Sequence, residues 1–278
     1  MLGVVYPVEE TDSRRRWIAA RIALRDRIRV PQLIADDQSG SHLVEDFGPR
    51  DLAALFLEAP AERTAWLARA VDAAADLAAL EDPRINPAFE AALFRRELDL
   101  AREAVFDLYL QEPLSAAERE IHDGWADSLA IEIASHPRAL CHRDFHGNNL
   151  FPREDAVAAI DFQDMRAGPD AYDLASLLWE RTTLDWMTAE TSEGAIEAFT
   201  RRRGLDIEPF RRRFDRVLLQ RAWKVCGTFA RAVAQGRGEA YRRYLPGELR
   251  LVRRLLGPED ADARFASLFE ARLGRLLS

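Results

Sequence analysis

Cysteine, lysine and long apolar runs are scarce in this sequence of 278 residues. Two cysteines, Cys141 and Cys226, are too few for the disulfide framework of a small secreted domain. No apolar run approaches the length of a membrane span, and the first residues lack the basic, apolar start of a signal peptide. A formal net charge of −8 argues against a nucleic-acid-binding protein. These absences favour a cytoplasmic protein with neither a nucleic-acid nor a membrane partner.

One short segment carries most of the functional information. Residues 142–149 read HRDFHGNN, and Ile160-Asp161-Phe162 follows after two short apolar runs. An Asp and an Asn five residues apart on a loop, followed by an Asp at the end of an apolar strand, are typical of phosphoryl-transfer sites. In this pattern Asp144 accepts the proton of a substrate hydroxyl, while Asn149 and Asp161 hold Mg²⁺ on ATP. One carboxylate and one amide oxygen can suffice, because Mg²⁺ is a hard cation that keeps several waters. The alternative is a β-hairpin in which these residues only form turns.

The segment belongs to a longer pattern. HRDFHGNN, then IDFQD at 160–164 and GPDAYDLASLL at 168–178, resembles the aminoglycoside phosphotransferase and choline kinase family. Within it the sequence is similar to the bacterial N-acetylmuramate/N-acetylglucosamine anomeric kinases of cell-wall recycling. The resemblance implies a kinase that uses ATP and Mg²⁺ to phosphorylate a small sugar. The alternatives are another small-alcohol or aminoglycoside-type phosphotransferase, or a catalytically weak pseudokinase. The oligomeric state stays open.

The fold class implied by the resemblance is α+β, with the two lobes of a protein-kinase-like fold. The small lobe would be reduced and N-terminally short, spanning 1–46, and the large lobe, 47–278, would be mainly helical. Between them, the resemblance implies a hinge whose backbone pairs with the adenine edge at Val44, Glu45, Asp46 and Phe47. The alternative is an ordinary loop between a strand and a helix that ends at Gly48-Pro49.

Other polar residues near these motifs have weaker assignments. His142 is expected to orient the loop, and the resemblance implies that Asp173 supports the loop from the start of a helix. His146 is either a substrate contact or an exposed loop residue, and Gln163 and Asp164 are candidate substrate contacts. No metal-binding His/Cys cluster is expected, and three other histidines are expected at the surface, namely His42, His122 and His136.

Two standard kinase parts are missing from the sequence. A glycine-rich hairpin and a strand-borne lysine usually hold the ATP phosphates, yet only Gly3 and Gly40 precede the expected hinge, and the single lysine is Lys224. The cell-wall sugar kinases that the sequence resembles also tend to lack that lysine. Either the true start lies upstream, or the phosphate site is open, or the protein is a pseudokinase.

The charge distribution bears on the substrate. Residues 197–257 contain fifteen Arg and Lys224 against six acidic residues. A polycationic aminoglycoside would need an acidic cleft wall, whereas the lactyl carboxylate of N-acetylmuramate could bind an Arg bidentately. The positive charge of this region therefore disfavours aminoglycosides and choline as substrates, although most of these Arg are expected on solvated helix faces.

Periodicity predicts the elements around the motifs. Residues 2–8 predict a strand, residues 12–27 a helix, and residues 32–35 and 41–45 two strands joined by a turn. Residues 61–80 predict an amphipathic helix, and Ser115 with Glu118 forms a capping-box pattern before another. After residue 170 the sequence predicts helices almost throughout.

Overall fold

The computed structural model describes residues 1–5, 11–37 and 41–277. Its strands are β1 (Leu2–Val5), β2 (Leu33–Asp36), β3 (Ser41–Val44), β4 (Arg138–Cys141), β5 (Leu150–Arg153), β6 (Ala156–Ala159) and β7 (Arg166–Pro169). Its helices are α1 (Thr11–Leu24), α2 (Leu52–Glu58), α3 (Arg63–Ala78), α4 (Ala91–Arg102), α5 (Ala116–Ala134), α6 (Tyr172–Leu178), α7 (Ala189–Arg203), α8 (Ile207–Ala234), α9 (Leu245–Leu255) and α10 (Asp260–Leu273). The end of the first predicted strand, at 6–8, and the turn at 38–40 lie outside the described residues.

Contacts along the chain define two compact units. The first contains Met1–Ala88 and Pro137–Phe210, and the second contains Phe89–His136 and Arg211–Ser278. The lobe boundary expected between residues 46 and 47 falls inside the first unit and stays a prediction. None of the described helices is long and apolar enough to cross a membrane.

The three N-terminal strands form an antiparallel sheet in the order β1-β3-β2. Val44 at the end of the central strand pairs with Leu2 on one side and Leu33 on the other. His42 and Val44 are buried while Ser41 and Leu43 are half-buried, as the alternation of a strand requires. The sheet therefore fixes the point at which the expected hinge leaves β3.

Two further strand pairs lie in the first unit around the motif segment. β4 pairs antiparallel with β7, and β5 pairs antiparallel with β6. The two short apolar runs before Asp161 form β5 and β6, whereas the sequence predicts no strand at β7, which is short and follows the motif directly. β7 becomes a regular strand by pairing with β4, which begins 28 residues earlier in the chain. In this pairing Arg138 lies opposite Pro169, and Cys141 lies opposite Arg166.

The second unit is helical and has an aromatic core. The ring of Trp125 on α5 stacks on Phe265 of α10 with centroids 4.0 Å apart, and Trp223 of α8 meets both rings edge-on. Trp125 also donates its indole N–H to the buried carboxylate of Asp262 at 3.1 Å. Arg216 Nη1 donates to the same carboxylate at 2.6 Å, so this buried charge is paired and hydrogen-bonded.

The predicted start of α5 is confirmed. Ser115 Oγ accepts from the N–H of Glu118, and the Glu118 carboxylate accepts from the N–H of Ser115, which completes a capping box. Such a box satisfies two backbone donors that the first helical turn leaves without partners.

The prediction that His42 and His122 are surface residues is wrong. His42 is buried against Trp17, with ring centroids 4.5 Å apart, and burial lowers its pKa. His122 is fully buried among Trp125, Trp223 and Phe265. Burial, partly opposed by a hydrogen bond to Asp123, lowers the pKa of His122 to about 4. Burial away from water favours the neutral imidazole over the charged one, and the sequence pattern does not reveal this burial.

Asp99, His122 and Asp123 bring candidate metal-ligand atoms within 4.8 Å of one another. The guanidinium of Arg95, however, contacts the carboxylates of both Asp99 and Asp123 and also that of Asp127. These carboxylates thus already have a cationic partner, and we interpret the group as an ion-pair cluster of α4 and α5.

We expect acid to destabilise the protein through His122. Its folded pKa of about 4 lies below the ordinary value of 6.5, so the unfolded chain binds more protons between these two values. The free energy of unfolding should fall as the pH drops below about 6.5, by about 3 kcal/mol in total when pH 4 is reached. Urea unfolding at pH 7, 6 and 5 measures this loss. A His122→Phe variant, which keeps a ring in the cluster, should show a flatter pH dependence, and an unchanged slope would contradict the assignment.

Candidate functional site

The predicted catalytic loop begins where β4 ends, and Asp173 holds its first two residues. The Asp173 carboxylate accepts the backbone N–H of His142 at 2.6 Å and that of Arg143 at 3.0 Å. Asp173 is buried in the first turn of α6, where the partial positive charge of the helix N-terminus favours a carboxylate. Arg143 has a left-handed φ of 83°, which turns the chain sharply at this point.

His142 connects the loop to the segment that leads into Asp161. Its buried ring lies 2.9 Å through Nε2 from the carbonyl oxygen of Ile160 and meets Phe145 edge-on. The carbonyl of Asn149 accepts from the N–H of Ile160 at 3.0 Å. Two hydrogen bonds therefore fix the Asp161 segment beside the loop that carries Asp144.

Within the loop, the backbone carbonyl of Asp144 organises the residues that follow. It accepts from the N–H of His146 at 3.1 Å and from Nδ2 of Asn149 at 2.9 Å. Nδ2 of Asn149 points toward the carbonyl of Asp144, so Oδ1 of Asn149 points away from that carbonyl. This oxygen can therefore serve as a metal ligand. His146 is half-buried, and its carbonyl accepts from the N–H of Asn149 at 2.9 Å.

Asp161 follows β6 on an exposed turn with a φ of 63°. Its Oδ1 accepts from Nε2 of Gln163 at 2.7 Å, so the structure places Gln163 against the predicted metal ligand. Phe162 is buried and packs on Trp17, with centroids 5.5 Å apart. Asp164 lies 3.9 Å from Nη1 of Arg143. The structure thus brings both predicted metal ligands and the candidate substrate contacts into one hydrogen-bonded region of the first unit.

The expected hinge is an irregular segment that follows β3. The N–H of Glu45 donates to Gln32 at 2.9 Å, and its carboxylate accepts from Arg29 at 2.5 Å. Asp46 Oδ1 accepts from the N–H of Gly48 at 2.8 Å. Phe47 is buried, with guanidinium groups over its ring at 5.6 Å from Arg29 and 4.7 Å from Arg153. Adenine binding by Val44–Phe47 stays a prediction, and Glu45 would have to contribute a group other than its N–H.

The sequence did not reveal that Asp51, at the start of α2, also holds the loop. Asp51 caps α2 by accepting from the N–H of Ala54 at 2.7 Å, and its second oxygen accepts from Nδ2 of Asn148 at 3.0 Å. Asp51 before an apolar run is a recognisable capping pattern, but nothing in the sequence pairs it with a residue 97 positions later.

Asn86 is a second residue that the sequence did not reveal. It is buried, and its Nδ2 donates to the carbonyls of Gln163 and Met165, both at 2.9 Å. One side-chain amide thereby fixes the backbone that follows Asp161.

Several basic residues of 197–257 have acidic partners within their own unit. Arg202 forms two hydrogen bonds of 2.8 Å with Asp76, Arg216 pairs with Glu132 and Asp262, and Lys224 lies 3.4 Å from Glu97. The arginines at this site are instead Arg143 within the loop, and Arg166 and Arg181 beside it. A regional charge count therefore does not locate a substrate site.

Comparison with known proteins identifies the group to which this site belongs. A model of the phosphotransferase enzyme family matches residues 5–214. The chain belongs to this family. An N-acetylmuramate/N-acetylglucosamine kinase of Pseudomonas aeruginosa is 30% identical over 284 residues, covering 98% of this chain and 79% of the relative. A kinase of the same name from Neisseria meningitidis serogroup B is 28% identical, covering 84% and 72% respectively.

Solved structures of phosphotransferases share the fold. A choline/ethanolamine kinase family protein from Mesorhizobium loti aligns with a TM-score of 0.63 at 16% identity, over 97% of this chain and 86% of that one. The ADP-bound aminoglycoside phosphotransferase APH(2'')-Ib aligns with a TM-score of 0.60 at 15% identity, over 95% and 87%. The prediction of an α+β, protein-kinase-like fold is confirmed, and the protein is a phosphotransferase.

Gly147 should not tolerate a side chain. A Cβ at this position would lie 2.9 Å from the backbone N of Ala53 on α2, which leaves no room for a methyl group. We expect Gly147→Ala to lower the free energy of unfolding by about 1–3 kcal/mol and to lower phosphotransferase activity, because the loop must move away from α2.

Gly194 provides the matched control. It is exposed on α7, and a Cβ there meets nothing within 4 Å. Gly194→Ala should raise the free energy of unfolding by about 0.5–1 kcal/mol and leave activity unchanged. Denaturant unfolding and an activity assay on both variants test the contrast, and equal effects would show that the loop does not depend on this contact.

Proposed function

We propose that this protein transfers the γ-phosphoryl group of ATP to the anomeric hydroxyl of N-acetylmuramate or N-acetylglucosamine. The observation that carries the proposal is the kinase of that name from Pseudomonas aeruginosa, 30% identical over 98% of this chain. Two hydrogen bonds support it: one joins Asn149 to the carbonyl of Asp144, and the other joins Asn149 to Ile160, directly before Asp161. They matter because phosphoryl transfer depends mainly on positioning and charge neutralisation.

Asp144 would orient the sugar hydroxyl and accept its proton. The backbone of Asp144 is fixed by the donors that its carbonyl accepts, from His146 and Asn149. The backbone that carries the Asp144 carboxylate therefore has a defined position on the loop. A base held in this way can meet an acceptor hydroxyl within hydrogen-bonding distance, which is the first requirement of general-base catalysis.

Asn149 and Asp161 would hold Mg²⁺, and their chemistry fits this cation. Both offer oxygen atoms, and the amide of Asn149 is oriented by its contact with the carbonyl of Asp144. Asp161 is exposed and receives only a neutral amide donor from Gln163 among its side-chain contacts that are described. Bound Mg²⁺ would supply neutralisation of the charge on the β- and γ-phosphates. The adenine of the nucleotide would bind at Val44–Phe47, and its phosphates would bind at the Mg²⁺ held by Asn149 and Asp161.

Turnover should depend on the Asp144 carboxylate. Asp144→Asn keeps the shape and hydrogen-bonding reach of the side chain but removes the proton acceptor, so kcat should fall by about 10²- to 10⁴-fold. Nucleotide affinity should stay within a few-fold of the parent protein. A coupled assay for ADP release with N-acetylmuramate, N-acetylglucosamine, kanamycin and choline measures both turnover and acceptor preference. Preferred phosphorylation of kanamycin or choline would overturn the proposed substrate, and near-normal turnover of the variant would overturn the role of Asp144.

Asp161→Asn should act on nucleotide binding instead. Loss of the carboxylate should weaken Mg·ATP binding by more than about tenfold while the fold is kept, because Asp161 lies on an exposed turn. Asp155→Asn is the matched control, since Asp155 is fully exposed at the other end of β6. Calorimetric titration with ATP, with and without Mg²⁺, separates the two variants. Equal Mg·ATP affinity in both would remove Asp161 from the proposed metal site.

A further inference from the structure

The second unit contains a pocket whose residues the proposed phosphoryl transfer does not use. The pocket has a volume of about 500 Å³ and is lined by α4, by α8 and by the turn that follows α8. All of its lining residues belong to the second unit, so the whole pocket is built within that unit. A pocket of this size can hold a ligand as large as a monosaccharide or a nucleoside that carries a phosphate group.

Part of the pocket lining is apolar, because α4 and α8 approach each other closely at Gly227. A Cβ added at Gly227 would clash with the backbone and the Cβ of Ala101, so the approach requires glycine at this position. Leu100 of α4 also lines the pocket and is 42% exposed, and the ring of Tyr241 lines it from the turn. Tyr241 stacks on Phe229, with ring centroids 5.1 Å apart. The pocket therefore offers apolar and aromatic surface to the body of a ligand.

Two arginines bring positive charge to this surface. Arg231 is half-buried on α8, and its Nη2 lies 3.4 Å from the carbonyl oxygen of Leu100. Arg237 follows the helix and donates from Nη2 to Oε1 of Gln235 at 2.8 Å. Each guanidinium thus contacts a neutral acceptor, and the part of the chain that the structure describes supplies neither of them with a carboxylate. A neutral acceptor does not cancel the charge of a guanidinium.

The other two charged side chains of the pocket are of opposite sign and lie together. Nζ of Lys224 lies 3.4 Å from Oε1 of Glu97, and both residues line the pocket. Nε2 of Gln220 donates to the other oxygen of Glu97 at 2.8 Å, which helps to fix this carboxylate. The side chains that line the pocket therefore carry a net formal charge of two positive units, contributed by Arg231 and Arg237.

The turn that carries Arg237 is held by the end of α8. The N–H of Gly236 donates to the carbonyl of Val233 at 3.0 Å, and the N–H of Arg237 donates to that of Ala232 at 3.1 Å. Gly236 has a φ of 68°, the left-handed conformation that this common helix ending requires. Basic side chains at a helix C-terminus also complement its partial negative charge without any ligand. The concave apolar surface beside Arg231 and Arg237 is what distinguishes this pocket from that ordinary case.

We propose that this pocket binds a phosphate monoester of a small molecule such as a sugar or a nucleoside. The phosphate group would lie between Arg231 and Arg237, and the body of the ligand would contact Leu100, Ala101 and Tyr241. A phosphate monoester carries about 1.5 to 2 negative charges at pH 7, which matches the charge of the pocket, whereas a carboxylate carries one. The planar fork of arginine also suits phosphate, because it donates two parallel hydrogen bonds. The inference goes beyond the proposed function and does not depend on it.

Isothermal titration calorimetry of the full chain with glucose 6-phosphate and with AMP tests the pocket and distinguishes a sugar from a nucleoside ligand. Glucose, inorganic phosphate and glucuronate are the comparison ligands, and they present the body alone, the phosphate alone and a sugar carboxylate. At least one of the two esters should bind more than about tenfold more tightly than any comparison ligand. Arg231→Gln and Arg237→Gln should each weaken the binding of that ester by about ten- to hundredfold, as expected for the loss of a charge-assisted hydrogen bond.

Arg250→Gln is the charge-matched control. Arg250 is exposed in the same unit, and its Nη1 donates to the carbonyl of Leu277 at 3.0 Å, so its substitution should leave the affinity unchanged. Thr228→Trp tests the pocket with both guanidinium groups kept. Thr228 is an exposed lining residue of α8, and an indole at this position should fill the pocket and abolish binding. Ser267→Trp is the matched control on α10, because Ser267 is exposed and its hydroxyl, like that of Thr228, donates to the carbonyl four residues earlier.

The result that overturns the inference is ester binding that survives unchanged in Thr228→Trp and in the Arg231→Gln/Arg237→Gln double variant, or the absence of ester binding in the parent protein. An equal loss in Arg250→Gln, in variants whose thermal unfolding matches the parent protein, would overturn it in favour of general electrostatic attraction. Equally tight binding of glucuronate would reject the phosphate group, and equally tight binding of inorganic phosphate would reject the role of the ligand body. None of these titrations requires turnover, so their outcome is separate from that of the proposed function.

Discussion

The carboxylate of Asp173 is the contact on which the candidate site depends most. It accepts two consecutive backbone N–H groups, those of His142 and Arg143, at the point where β4 becomes a loop. Consecutive N–H groups converge on one anion when the backbone turns through a left-handed conformation, as it does at Arg143. Without this anion two donors would lose their partner in a buried place, which costs about 1–3 kcal/mol for each group. The turn at Arg143 sets the direction in which the loop leaves β4.

The loop is then supported from three further directions by polar side chains. His142 reaches the Asp161 segment, Asp51 holds Asn148, and Asn86 fixes the backbone after Asp161. Each of these side chains is at least half-buried, so each contact is partly shielded from competing water. The site is therefore built as a connected network whose members lie on α2, on the turn before α4, and on the loop itself. A network of this kind fixes geometry more strictly than isolated contacts do.

The sequence predicted what depends on local pattern. The spacing of Asp144, Asn149 and Asp161 indicated the chemistry, and alternation or capping indicated β3 and the start of α5. The features that the sequence did not reveal depend on contacts between residues far apart in the chain. Strand β7 becomes regular only through β4, and Asn86 binds backbone 77 and 79 positions later. His122 resembles a surface residue until helices of the second unit surround it with aromatic rings. The charge balance of 197–257 likewise does not locate a substrate site, because Arg202, Arg216 and Lys224 are paired with acidic residues distant in sequence.

Two residues of the site, Arg143 and Asp161, adopt left-handed backbone conformations, with φ of 83° and 63°. This conformation costs an L-residue roughly 1–2 kcal/mol relative to glycine, with Asp among the more tolerant types. Part of the folding free energy is therefore stored at the two turns that direct Asp144 and Asp161. Glycine at position 161 would release that strain while removing the predicted ligand. Selection of variants for thermal stability alone would consequently favour chains that have lost their chemistry at this turn.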